Sequence, residues 1–201
     1  MHISDGILTG KVVIATGSLS VVGVAIGIYK VEMEKIPKTG ILSALFFVAS
    51  LIHIPIGISS VHLLLNGLLG FLLGWMAFPA LLTALLLQAI VFGFGGILSL
   101  GANVLVMSVP AVICYYLFAR AIKPDSSLRK VFILSFLSGF FGVFLAVILL
   151  AVILFSAGKE FTGAAIVLMT GHIPVMLIEG FVTATAVGFL FKVQPSLLTC
   201  K

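Results

Sequence analysis

A chain that starts Met1-His2 and keeps its amine unblocked places three nitrogens on consecutive parts of one backbone. They are the α-amine of Met1, the backbone nitrogen of His2 and the imidazole of His2. A metal that takes all three closes two fused chelate rings, and those rings hold the donors in one plane. A second histidine completes the fourth corner. Planar nitrogen coordination suits Ni(II) or Cu(II), whereas Zn(II) prefers a tetrahedron.

His62 is the candidate for that corner. It is expected to open a helix, positioned but still accessible, with Ser59 or Ser60 as the N-cap. Asn66, four residues on, would share its helix face. The Asn66 amide could then hold the ring nitrogen turned away from the metal, an outer-shell role such ligands need. The plainer alternative for His62 is an interfacial histidine at a membrane surface. Gly67, Gly70 and Gly74 follow as a small-residue face, with Gly70 and Gly74 as a GxxxG pair for close helix approach.

The remaining polar residues divide into two kinds. His53 and His172 are each followed by Ile-Pro, so each is expected where a helix ends or breaks. There they would satisfy backbone groups freed by the proline, with transient metal capture as the alternative. Glu179 and Gln88 lie inside apolar runs, where polar groups are costly and usually functional or paired. They read either as glue between two spans or as a network beneath an outer pocket. Asp5 is expected to accept backbone hydrogen bonds within its Asp-Gly turn and so fix the arm.

The elements that must position these residues are membrane helices. Of 201 residues, 62% are hydrophobic and 8% charged, with a mean hydropathy of +1.37. Soluble domains carry roughly 25% charged residues. Apolar runs of about 20 residues recur along the whole length, so an all-α, polytopic membrane protein with a single domain over 1–201 is expected. Residues 1–11 form an arm that can fold back onto it. About seven spans are expected: 12–29, 39–54, 61–76, 79–94, 102–118, 131–155 and a last run over 164–191 broken near Gly171 and Pro174.

Seven spans put the termini on opposite sides. Lys30, Lys35, Lys38, Arg120, Lys123, Arg129, Lys130, Lys192 and Lys201 then share one side, against Lys11 and Lys159 on the other. By the positive-inside rule the N-terminus is expected outside the cell membrane and the C-terminus in the cytoplasm. His2, His53, His62 and His172 all fall on the outer face.

Several functions are disfavoured. The first ten residues hold no basic cluster and the first apolar run is long, so a cleaved signal peptide is not expected. Basic residues sit in short connections, which is no nucleic-acid signature. Cys114 and Cys200 suggest no disulfide framework. No GxxxxGK[ST], HExxH, GxSxG or CxxC occurs, so no catalytic motif or ATP-binding loop is present. A membrane subunit that binds a substrate and borrows a motor is the simplest reading. A histidine-ligated membrane redox protein, using His53, His62 and His172, and an assembly subunit without ligand are the other classes.

Three stretches carry a resemblance. MHISDG opens the chain, IPIGISSVHLLLNGLLG covers Ile54–Gly70, and GHIPVMLIEGFVTATAVGFL covers Gly171–Leu190. They resemble the CbiM/NikM family, substrate-specific (S) components of energy-coupling factor transporters for cobalt and nickel. The resemblance implies an inserted arm and a metal held by the Met1 amine, both nitrogens of His2, and His62. It also implies a transmembrane coupling (T) protein, cytoplasmic ABC-type ATPases and a small accessory membrane subunit. Cobalt members usually carry proline after the central histidine. Leu63 stands there instead, which looks like the nickel type, with Co(II) as the alternative cargo. The chain itself would then be no enzyme.

Overall fold

The computed structural model describes residues 2–56, 59–158 and 162–198. Apolar side chains cover helices whose backbone groups are satisfied within each segment, as a lipid environment demands. In order they are α1 (Gly10–Tyr29), α2 (Ile36–Ala49), α3 (Asn66–Leu73), α4 (Ala77–Phe92), α5 (Leu100–Leu117), α6 (Leu128–Ala157), α7 (Thr162–Gly171) and α8 (Ile173–Val193). Between α2 and α3 runs a hairpin of β1 (His53–Ile56) and β2 (Ser59–His62).

Helix α1 is inverted relative to a helix in water. Thr16, Ser20, Gly23 and Gly27 face inward, while Ile14, Leu19, Val21 and Val22 are exposed. Lipid tails give no reason to hide large apolar groups, so small residues take the interface and let backbones approach. The Ser20 hydroxyl donates to the Gly101 carbonyl at 2.5 Å, fastening α1 to α5. Helix α5 is the central post, packed against α1, α3, α4 and α6, and α6 lies along α8.

Among the described residues, five stretches are long and apolar enough to cross a membrane: Gly10–Tyr29, Asn66–Phe92, Leu100–Ala121, Leu128–Ala157 and Ile173–Val193. The difference from seven arises mainly in the third expected span. Residues 53–56 and 59–62 do not join a helix. They pair with themselves, His53 opposite His62, Ile54 opposite Val61, Pro55 opposite Ser60 and Ile56 opposite Ser59. The β-branched Ile54, Ile56 and Val61 favour extended backbone, and Pro55 has no N–H for a helix interior. Ser59 and Ser60 are strand residues, not caps. Helix α2 stops at Ala49 and has 14 residues, about 21 Å at 1.5 Å per residue.

Helix α3 has only eight residues. Leu65, with φ of +47°, precedes it, and Gly74, with φ of +57°, ends it. Gly74 is therefore the stop of the helix rather than the second half of a GxxxG face. The turn Gly74–Met76 then leads into α4. Gly67 and Gly70 do serve close approach: a Cβ on Gly67 would strike the backbone at Ser138 and Gly139 of α6, and one on Gly70 the backbone of Ala111 in α5.

The two ends of the bundle differ in charge. The Lys38 ammonium donates to the Leu197 carbonyl at 2.8 Å, so the start of α2 and the tail after α8 meet. Around them a cavity of about 820 Å³ is lined by four cations, Lys30, Lys35, Lys38 and Arg120, against two acids, Glu32 and Glu34. The arm lies at the opposite end of α1, about 30 Å away for 20 residues of helix.

Candidate metal centre

The arm docks on the connection from α4 to α5. Ile3 is buried, 2% exposed, and its backbone is read by one side chain in both directions. The Ile3 N–H donates to Asn103 Oδ1 at 2.8 Å, and Asn103 Nδ2 donates to the Ile3 carbonyl at 3.0 Å. The Ser99 hydroxyl lies 2.7 Å from that carbonyl and 2.9 Å from Asp5 Oδ1, so its one proton can serve either acceptor.

Asp5 also accepts from the Ser99 N–H at 2.9 Å. That backbone bond is the main reason its carboxyl is held below the usual carboxylate range. Asp5 thus fixes the arm across to the N-terminus of α5, where the helix dipole favours a negative charge, rather than within its own turn. Its own N–H donates to the Gly95 carbonyl at 2.9 Å. Gly96 leaves the necessary room: its φ is +128°, and a Cβ there would collide with the Asp5 carboxylate.

This docking sets the ring of His2 against that of His62. Their centroids are 5.2 Å apart at 30°. Phe94 stacks on His2 at 6.3 Å and 23°. His62 is 2% exposed. Its Nδ1 lies 3.0 Å from the Leu63 carbonyl. A carbonyl can only accept, so this contact assigns a proton to Nδ1; in the neutral ring the lone pair is then on Nε2, the arrangement a metal-binding imidazole uses.

The partner expected for that ring nitrogen, Asn66, is engaged elsewhere. Because α3 begins at Asn66 rather than at His62, the amide points into the bundle. Its Nδ2 donates to the Gly142 carbonyl at 3.0 Å, and its Oδ1 accepts from the Gly67 N–H at 3.0 Å. The turn between His62 and α3 is held instead by Glu179. This buried carboxylate on α8 accepts from the Leu64 N–H, and from the Leu65 N–H at 2.9 and 3.1 Å through its two oxygens. Gln88 does not pair with Glu179; its amide donates to the Ser50 hydroxyl and joins α4 to α2.

Met1 lies outside the described residues. His53 is opposite His62 across the hairpin. His172 precedes α8; its Nδ1 lies 2.7 Å from the Leu168 carbonyl, which also accepts from the His172 N–H, so the ring does not serve the carbonyl of Thr170 that Pro174 leaves without a helical donor. Among the described residues no group of three or more His, Cys, Asp or Glu could hold a metal. Asn103 and Ser99 were not singled out from the sequence. The one available signal was an amide near the start of an otherwise apolar run.

Known proteins decide the family. The CbiM family, described as the cobalt uptake substrate-specific transmembrane region, matches residues 2–197. The chain belongs to that family. A putative metal transport protein of Haemophilus influenzae is 40% identical to this CbiM-family chain over 199 residues, covering 98% of it and 97% of the relative. A putative fused nickel transport protein NikMN of Archaeoglobus fulgidus is 32% identical over 207 residues, 100% of this chain and 69% of that one. A crystal structure titled as a transition metal transporter superposes with a TM-score of 0.81 at 26% identity, over 96% of this chain and 93% of the other. Family and helices together make this CbiM-family chain a multi-pass membrane protein.

Proposed function

We propose that this protein captures Ni(II) outside the cell and delivers it to an ATP-driven importer of the energy-coupling factor type. The ion would be held in a plane by the Met1 amine, the backbone and imidazole nitrogens of His2, and Nε2 of His62. The observation that carries this is the docked arm, which sets His2 on His62 with the His62 tautomer already suited to a metal. With two imidazoles as the side-chain donors, further ligands must come from the main chain of the arm, and a main-chain amide favours Ni(II) over Co(II).

The proposed orientation puts the arm outside and the Lys-rich end in the cytoplasm. The power would come from partners: a transmembrane coupling protein, cytoplasmic ABC-type ATPases and a small accessory membrane subunit. Co(II) in the same site is the second reading, because relatives of the chain include a cobalt transport protein CbiM of Sorangium cellulosum.

The test is metal analysis and a visible spectrum of protein purified with a C-terminal tag. One Ni(II) per chain, yellow and diamagnetic, is expected. The same protein with residues fused ahead of Met1 should bind none. Tight, unchanged binding by the extended protein would overturn the site.

A further inference from the structure

One peptide unit links the metal-facing histidine to the buried acid. The carbonyl of Leu63 accepts from His62 Nδ1–H, and the amide of that same peptide, the Leu64 N–H, donates to Glu179. The second amide on Glu179, from Leu65, belongs to the residue with positive φ. The backbone strain of that residue would relax if nothing pinned it.

Other roles for Glu179 have no support in the geometry. No cation approaches it among the described residues: the only ion pair there is Lys35 with Glu32. The Cβ position of Gly139 abuts the Glu179 backbone, so α6 closes the space behind it. Both amides it receives lie in the three residues that join His62 to α3. A buried acid costs stability, and here its contacts converge on the segment that aims one imidazole.

We propose that Glu179 is the positioning residue of the metal site, acting on His62 through the Leu63–Leu64 peptide. Hydrogen bonding at the N–H end of a peptide polarises it and strengthens its carbonyl as an acceptor. The carboxylate therefore holds the proton of His62 on Nδ1 and raises the donor strength of Nε2. It does at one peptide's remove what a carboxylate in direct contact does for other metal-bound histidines. It also fixes the direction of the ring, by pinning the turn that follows it.

This inference rests on the metal site proposed above, but it can fail separately. In the metal-free wild-type protein, ¹⁵N shifts of labelled histidine report the tautomer of His62. The Nδ1–H form is expected, and finding the Nε2–H form would overturn the inference whether or not metal binds. The second arm uses Glu179→Gln, which keeps an oxygen facing both amides and removes the charge. Titrated with Ni(II) alone, it should bind about 10- to 100-fold more weakly, the usual loss for an outer partner of a metal ligand, with a shifted visible band and an unchanged melting temperature. Wild-type affinity and spectrum in Glu179→Gln would sink the idea. If the wild-type protein bound no Ni(II), the proposed function would fall while the tautomer result still stood.

Discussion

The two halves of the proposed centre are held in opposite ways. His2 rides on an arm fastened by Asp5 and by the buried Ser99 and Asn103, largely through bonds to main chain. His62 sits on a turn gripped from within by Glu179 and seated on a helix whose Gly67 and Gly70 touch the α6 and α5 backbones. The arm is held by several modest bonds that can be lost one at a time. The turn depends on one buried acid and on packing that cannot yield. Single substitutions should therefore weaken the first half in steps and the second half at once.

The largest effect should come from His62→Ala. It removes a proposed ligand, so Ni(II) affinity should fall by more than the roughly 100-fold that losing an outer partner costs. Equilibrium dialysis measures it. Asn103→Ala comes next. It strips two bonds from Ile3 and leaves a buried N–H unsatisfied, costing about 1–3 kcal/mol. That corresponds to roughly 5- to 150-fold weaker binding, with little change in melting temperature. A loss as complete as that of His62→Ala would erase the contrast between the halves.

Ser99→Ala removes one hydroxyl whose proton already chooses between two acceptors. A drop of about threefold to tenfold is expected, from roughly 0.5–1.5 kcal/mol per ordinary hydrogen bond. The smallest difference concerns pH. The amine and imidazoles of the proposed site must lose protons to bind metal, so affinity should fall as pH drops. Asp5 does not share in that fall. Its carboxyl is held below the usual range; a depressed group contributes above its unfolded pKa and is lost only as pH falls through the lower, folded value. Asp5→Asn should therefore weaken Ni(II) binding by a similar factor at pH 8 and pH 6. A displaced midpoint of metal release would show that Asp5 titrates within the working range.

Hydropathy reads some parts of this fold well. For α5, α6 and α8 a long apolar run bounded by polar loops leaves one solution, and the break at Gly171 and Pro174 is where α7 gives way to α8. It fails at 53–76, because a hairpin followed by a short helix has the same apolar content as one spanning helix. Pairing of Ile54 with Val61 depends on residues folding back on themselves, which a sliding average does not register. The candidate site is legible only in part. Met1, His2 and His62 stand out through donor chemistry and family likeness. Asn103 meets Ile3 from 100 positions away, and Glu179 meets Leu64 from 115. Glu179 stands out as an acid in an apolar run, but nothing local says which turn it holds, and nothing local marks Asn103 as a support.

The brevity of α3 has a mechanical meaning. It is a pedestal of eight residues, about 12 Å tall, with its foot set by the left-handed stop at Gly74. Its height decides the level at which the imidazole of residue 62 is presented. One extra turn inserted between Gly70 and Phe71 would lift that platform by about 5.4 Å and carry the ring past its mate on the arm. Chain length in this one segment thus sets the level of the His62 ring, adjustable without altering that residue.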